Sequence, residues 1–255
     1  MSSTGFNKEV QNAVSLIQES KKCIILSGAG VSTPSGIPDF RSPGKGLWEH
    51  VDAGKVATLS AFHNRTDEFF RWLLPLARQI QHAQPNAAHQ AIAKLQMDGW
   101  VDRVITQNID NLHIAAGNRN VIEVHGNLKC WECPNLHAVP NQNTVFEDFC
   151  QSGEAPRCSQ CGTILKPGIV LFEELLPIKT WDAAVDAAAS SKCIIVVGSS
   201  LTVGPANELP LYALENQAKL VIVNLSQTPL DAYADVVIHD TVETILPKIE
   251  KALAE

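Results

Sequence analysis

The chain is short of several things that would each point somewhere specific. Among its 255 residues no stretch approaches the eighteen or so apolar residues that a membrane-spanning helix needs. The opening MSSTGFNKEV lacks the charged and then apolar layout of a signal peptide, so a cytoplasmic protein is expected. Charge is sparse at 18%, and it is not basic: the formal net charge of -7 argues against direct nucleic-acid binding, though not against a basic peptide. Repeats and low-complexity segments are missing too. Cysteine is odd in number, seven in all, with four of the seven in two CxxC pairs; that suits metal ligation in a reducing compartment better than disulfides. Cys23 and Cys193 open apolar runs and read as plain core residues.

What is there is an ordinary globular composition, 45% apolar, long enough for one large domain with a smaller module attached. Residues 6–20 carry a helical stripe of Phe6, Val10, Ala13, Val14 and Ile17. Short apolar runs at 23–26, 101–106, 121–124, 193–198, 220–224 and 236–239 alternate with helical patterns, which predicts an α/β fold: a mostly parallel, Rossmann-like sheet covered by helices on both faces. A helix is expected over 59–80, ended or kinked by Pro75, and another after Pro85 that stops at Gly99. Residues 127–168 hold both CxxC pairs and no long periodic segment, and read as an inserted small module. The expected division is a nucleotide domain of 1–33, 76–126 and 169–255, a cofactor loop with helices at 34–75, and a metal module at 127–168.

The first apolar run opens into a loop in which Gly28 and Gly30, with the small Ala29 between them, let a backbone approach a diphosphate. A usual dinucleotide fingerprint needs a third glycine where this chain has Thr33. The pairs Cys130/Cys133 and Cys158/Cys161 can close four thiolates around one zinc ion with no position left for water, which makes the zinc structural. A row of amide and carboxylate side chains, Gln107, Asn108 and Asp110, follows the run ending at Thr106, where parallel sheets bind ligands. Asp110 could also cap the helix that follows. His125 stands at another strand end before a glycine, and an imidazole titrating near neutral pH suits a general base.

GAG at 28–30 with SGIPDFR at 35–41, TQNID at 106–110 with LH and AG beyond it, HG at 125–126, GSSL at 198–201 and VN at 223–224 together resemble the sirtuins, the NAD-dependent protein deacylases. The resemblance implies a smaller domain with a zinc ribbon, and it implies that NAD is consumed as a co-substrate. It assigns Gly28, Ala29, Gly30, Thr33, Asp39, Phe40 and Arg41 to the cofactor loop, with Phe40 shielding the ribose carbon. Gln107 goes to the ribose, Asn108 to the ribose or a nearby water, and Ile109 with Asp110 to the nicotinamide amide. Gly198, Ser199, Ser200, Asn224 and Leu225 go to the adenosine half, and His125 becomes the base. His113 is expected to be structural.

KPGIVLFEELLP at 166–177 resembles the segment that pairs with the acyl-lysine peptide, implying substrate contacts at Val170, Leu171 and Phe172, and Val203 is expected to contact the substrate too. The family's usual FGE reads Phe172, Glu173, Glu174 here, which touches peptide affinity. Residues 65–80 lack the Tyr and Arg, three apart, that bind acidic acyl groups, and Phe69, Phe70, Trp72, Leu73 and Leu76 predict an apolar acyl pocket. The expected activity is removal of acetyl from lysine in a protein. The rivals are ADP-ribosyl transfer from the same activated ribose and a non-catalytic NAD-sensing zinc-ribbon module; a base at 125 argues against a mere binder.

Overall fold

A computed structural model describes residues 3–39 and 53–255. The expectations for Phe40, Arg41, Trp48 and an ordering loop at 40–50 lie outside the described residues.

Helix α1 (Ser3–Ser20) buries Val10, Ala13, Val14 and Ile17 of the predicted stripe. Strand β1 (Cys23–Ser27) is buried throughout and runs into short 3-10 turns at Ala29–Val31 and Thr33–Ser35. Then come α2 (Ala53–Val56), α3 (Leu59–Asn64) and α4 (Thr66–His82), two helices where one was expected over 59–80. The break falls at Arg65, whose ψ of 47° leaves the helical region. Pro75 does not end α4. A proline inside a helix costs about 3 kcal/mol, but Phe69, Phe70, Leu73, Leu76, Ala77 and Ile80 are buried on both sides of it, and each large apolar side chain returns about 1.5–3 kcal/mol. Helix α5 (Ala87–Met97) is capped by the Asn86 side chain, and Gly99 beyond it has φ +84°.

The chain continues through β2 (Val101–Thr106), α6 (Leu112–Ala115), β3 (Val121–Glu123) and β4 (Gly126–Glu132). Next is α7 (Gln142–Ser152), inside the segment expected to lack a periodic element; Phe146, Phe149 and Cys150 form its buried stripe at helical spacing. It is followed by β5 (Lys166–Ile169), α8 (Ile178–Ser190), β6 (Cys193–Val197), α9 (Leu209–Glu215), β7 (Lys219–Val223), β8 (Val236–Ile238) and α10 (Val242–Ala254).

Six strands form one parallel sheet in the order β3-β2-β1-β6-β7-β8. Successive side chains of β1 go to opposite faces: Cys23 and Ile25 join a core with α1, α5 and α10, and Ile24 and Leu26 join one with α8 and α9. This two-sided burial is why β1 and β6 read as continuous apolar runs. A further core gathers Phe62, Phe69, Phe70, Trp131, Phe146 and Phe149 between α3, α4, α7 and the antiparallel pair β4/β5. No described helix is long and apolar enough to cross a membrane.

Register positions the site. Ser27 lies level with Thr106 and Val197, Thr106 with Glu123, and Val197 with Val223, so the carboxyl ends of these strands finish in one line. Strand order reverses at β1, and the crevice over such a switch point is where open α/β sheets bind ligands.

Candidate active site and metal centre

The loops leaving β1, β2 and β6 interlock at close range. A Cβ on Gly28 or on Gly30 would come within 2.8 Å of the Gly198 carbonyl oxygen, and Gly198, at φ +57°, has the Val31 nitrogen 2.5 Å from where its own Cβ would stand. Only glycine fits these positions, and their backbones form one end of a cavity of about 720 Å³, a volume within the range of cofactor sites. Gly28, Ala29, Gly30, Asp39, Gln107, Asn108, Ile109, His125, Gly198, Ser199 and Ser200 all line it, as do Val170, Leu171, Phe172 and Val203.

A polar network fixes these side chains. Asn108 Nδ2 donates to the Gly28 carbonyl and to Ser32 Oγ, each at 3.1 Å, and Ser32 Oγ donates to Asp110 Oδ2 at 2.6 Å. The other Asp110 oxygen accepts from the Leu112 N–H at 2.8 Å, so Asp110 both caps α6 and holds the loop. Burial pushes its carboxyl up from the ordinary value, against those two donors. Ser32 was not singled out from the sequence, although it is buried and joins both predicted residues. Gln107 Nε2 donates to Ser199 Oγ at 3.1 Å, and the Gln107 carbonyl lies 2.9 Å from His125 Nδ1. A carbonyl can only accept, so Nδ1 carries the hydrogen and neutral His125 keeps a bare Nε2. Burial holds this imidazole below its usual 6.5, which keeps the base form present at neutral pH.

Some expected residues stand apart from the cavity. Thr33 is exposed, and its hydroxyl donates back to the Gly30 carbonyl. Asp110 is buried behind the lining rather than in it. Asn224 and Leu225 end β7 on the correct edge, but Asn224 bonds to the Ser226 carbonyl, Leu225 faces outward, and neither lines the cavity. His113 is structural, as expected: buried, with Nε2 2.8 Å from Ser27 Oγ and its ring against His89. The expected acyl wall is rearranged. Trp72 and Leu76 line the cavity, whereas Phe69, Phe70 and Leu73 turn into the aromatic core.

The metal centre corrects one ligand. Cys133, Cys158 and Cys161 converge with His137, all donor atoms lying within 4.8 Å of one another, and Cys130 is not part of the group. The pairs Cys133–Cys161 and Cys133–His137 are 3.6 Å apart and Cys158–His137 3.8 Å. Tetrahedral zinc with bonds of about 2.3 Å to sulfur and 2.0 Å to nitrogen needs donor separations of roughly 3.5–3.8 Å, so the three cysteines and the histidine fit one zinc ion. Cys158 and Cys161 make a turn, closed by Gly162 N–H to the Cys158 carbonyl at 2.8 Å. Cys130 lies instead within β4, where residues three apart face opposite ways. Trp131 must point inward, stacked on Phe70, which leaves Cys130 exposed. The chain turns after Cys133, with Leu136 N–H bonded to the Cys133 carbonyl, and returns His137 to the metal position. The Cys133-x₃-His137 spacing was the available signal.

Comparison with known proteins decides the family. The Sir2 family model matches residues 28–205, which is more than half of the chain. The chain belongs to the Sir2 family. A relative from Caldanaerobacter subterraneus subsp. tengcongensis named NAD-dependent protein deacetylase 2 is 40% identical over 239 residues, 94% of each chain. One from Archaeoglobus fulgidus named NAD-dependent protein deacylase 2 is 41% identical over 242 residues, again 94% of each. A solved Sir2 structure with a p53 peptide and NAD+ superposes with a TM-score of 0.86 at 36% identity, covering 95% of this chain and 98% of that one. Within this Sir2 chain the cavity brings together the strand-end loops and the segment after β5, and the metal group stands in the other core, beside α7. Sequence reasoning also missed Ala57, Trp181, Asp182 and Pro205, which line the cavity but carry no motif.

Proposed function

We propose that this chain is an NAD-dependent protein-lysine deacylase, acting chiefly on acetyl-lysine and releasing nicotinamide, free lysine and an O-acyl-ADP-ribose. The observation that carries the reading is His125. It lines the cavity with Nδ1 tied to the Gln107 carbonyl and Nε2 bare, at the edge where the glycine loops of a diphosphate site converge.

In this reading the backbone of residues 28–30 holds the diphosphate side of NAD, and Asp39, Phe40 and Arg41 lie beside the nicotinamide, with Phe40 shielding the ribose carbon. Gln107 and Asn108 take the ribose, Ile109 and Asp110 the nicotinamide amide. Residues 198–200 take the adenosine half, towards the edge where β7 ends at Asn224 and Leu225, and Val170, Leu171, Phe172 and Val203 flank the acyl-lysine peptide. The acyl oxygen bonds to the ribose carbon as its bond to nicotinamide breaks, the electron pair leaving with nicotinamide. His125 Nε2 then takes the proton of a ribose hydroxyl, whose oxygen bonds to the acyl carbon; water completes release of the lysine amine. The zinc would hold Cys133, His137, Cys158 and Cys161 together and, with its coordination closed, supply folding energy rather than chemistry. We also read the two sheet-face cores as a nucleotide domain and the aromatic core as the smaller domain, in a cytoplasmic protein with none of its seven cysteines in a disulfide.

The test is incubation with NAD and an acetyl-lysine peptide followed by mass spectrometry. Deacetylated peptide with O-acetyl-ADP-ribose supports the reading. ADP-ribosylated protein without deacetylation assigns transfer to a side chain instead, and no turnover of NAD leaves a binding module.

A further inference from the structure

Glu173 stands where the resemblance leads one to expect glycine, and its φ of +76° is the left-handed conformation that glycine tolerates and side chains with a Cβ avoid. The side chain shows what holds it there. Its Oε2 accepts from the Ser60 main-chain N–H at 2.8 Å and from Ser60 Oγ at 2.5 Å. Ser60 sits in the first turn of α3, so its N–H is a donor the helix cannot use itself. Alongside, Phe172 N–H donates to the Ala57 carbonyl at 2.9 Å and Leu59 N–H to the Phe172 carbonyl at 3.1 Å. These bonds close a seam between residues 57–60 and 172–173, and Ala57, Phe172 and Glu173 all line the cavity that holds His125. Glu174 is committed as well, accepting from Lys166 Nζ at 3.0 Å and from Leu171 N–H at 2.9 Å. Both glutamates are thus spent on holding the segment rather than on presenting charge to a ligand.

We infer that Glu173 is a positioning residue: its carboxylate latches the substrate-facing segment onto α3, presetting the apolar wall formed by Ala57 and Phe172 before the acyl-lysine peptide arrives. The inference rests on the deacylase reading for its substrate, though not for its geometry. A segment already fixed pays no ordering cost on binding, so the latch lowers the peptide KM. It does not touch the glycine loops or His125, so it leaves the chemical step and NAD binding alone. The Phe172 N–H is already taken by Ala57, so a peptide pairing with this segment uses its neighbours.

Glu173→Gly removes the latch while relieving the backbone, which keeps folding out of the question, and Glu173→Gln leaves a single neutral acceptor. Expected for Glu173→Gly are a peptide KM raised about fivefold or more, with kcat and the NAD KM within about twofold, and amide exchange at residues 57–60 faster by about tenfold. Glu173→Gln should fall between, and adding Ser60→Ala to Glu173→Gly should change nothing further. A peptide KM within twofold of the wild type, or equal losses in kcat and NAD KM, overturns the latch. Should the unmodified chain not deacylate at all, the deacylase reading fails, and the exchange rate at 57–60 alone decides whether the latch exists.

Discussion

The two walls of the cavity are held by different physics. The sheet wall consists of loops whose origins are set by a parallel ladder and whose side chains then bond one another, Ser32 to Asp110 and Asn108, Gln107 to Ser199. The opposite wall, α4 with the segment around Phe172, is held from behind by an aromatic cluster in which Phe70, Trp131 and Phe149 touch pairwise, and by the metal group beyond it. Removing one group from the sheet wall should change chemistry before stability. Removing one from the other wall should do the reverse.

The largest expected effect is on the second wall. His137→Ala and Cys158→Ser should each release the metal and unfold the aromatic core at lower temperature, because structural zinc binds with about 10–16 kcal/mol that is largely folding free energy. Cys130→Ser should keep a full complement of metal. Elemental analysis with thermal unfolding reads both, and metal lost from Cys130→Ser but retained in His137→Ala would restore the four-thiolate set.

On the sheet wall, His125→Ala should lower kcat by about 100-fold, the usual range for removing a general base, with unchanged melting and intact NAD binding. Burial holds His125 below 6.5, so the acid limb of kcat/KM should lie below pH 6.5. A limb above that value would show that another group is titrating.

The difference between the walls also explains what could be read in advance. β2 was legible to the residue although Asp102 and Arg103 interrupt it, because the buried Val104, Ile105 and Thr106 lead straight into a polar row at the carboxyl end of the sheet, where ligands bind. Gly28, Gly30 and His125 were legible for the same reason: their positions follow from where a strand stops. The second wall depends on which way side chains turn. Cys130 and Cys133 look like a knuckle until β4 proves to continue through Trp131, and Pro75 looks like a stop until the burial on both sides of it is known. Ser32 and Glu173 act through partners far away in the chain, Asp110 and Ser60, and local pattern holds no record of such pairings.

A smaller effect probes beneath the sheet wall, where His89 and His113 pack ring to ring 4.9 Å apart. Burial lowers their pKa values from 6.5 to about 4 and about 3. The unfolded chain therefore binds protons near 6.5 that the folded chain refuses, and stability, complete above that pH, falls as pH drops towards the folded values. Each histidine should cost about 2 kcal/mol by pH 5. Asp110 and Glu123, whose carboxyls burial raises, work in the opposite direction, so the net fall is less than the sum. Urea unfolding at pH 7 and pH 5, with imidazole resonances followed by NMR, checks this; protonation of either ring in the native protein above pH 5 would contradict it.

The smallest effect concerns which acyl group the second wall admits. Trp72 and Leu76 come from α4, Ala57 and Ile169 lie beside them, and all four line the cavity. Arg71 is exposed on α4 and does not line it, and Arg78 is drawn away to the Cys150 carbonyl at 2.8 Å. The charged side chains lining the cavity among the described residues are Asp39, Glu173, Glu174 and Asp182, every one acidic. A succinyl carboxylate would enter an apolar pocket in which no described side chain offers a cation, at a desolvation cost of several kcal/mol that part of the chain can evade by bending towards water. An acetyl group leaves nothing polar unpaired beyond its amide. Matched peptides differing only in the acyl group should therefore give succinyl-lysine a kcat/KM at least about tenfold below acetyl-lysine, a difference of roughly 1.4 kcal/mol in transition-state binding. Equal rates on the two peptides would mean that a cation reaches the pocket, and Trp72→Arg, expected to narrow the gap by supplying one, would then have no effect.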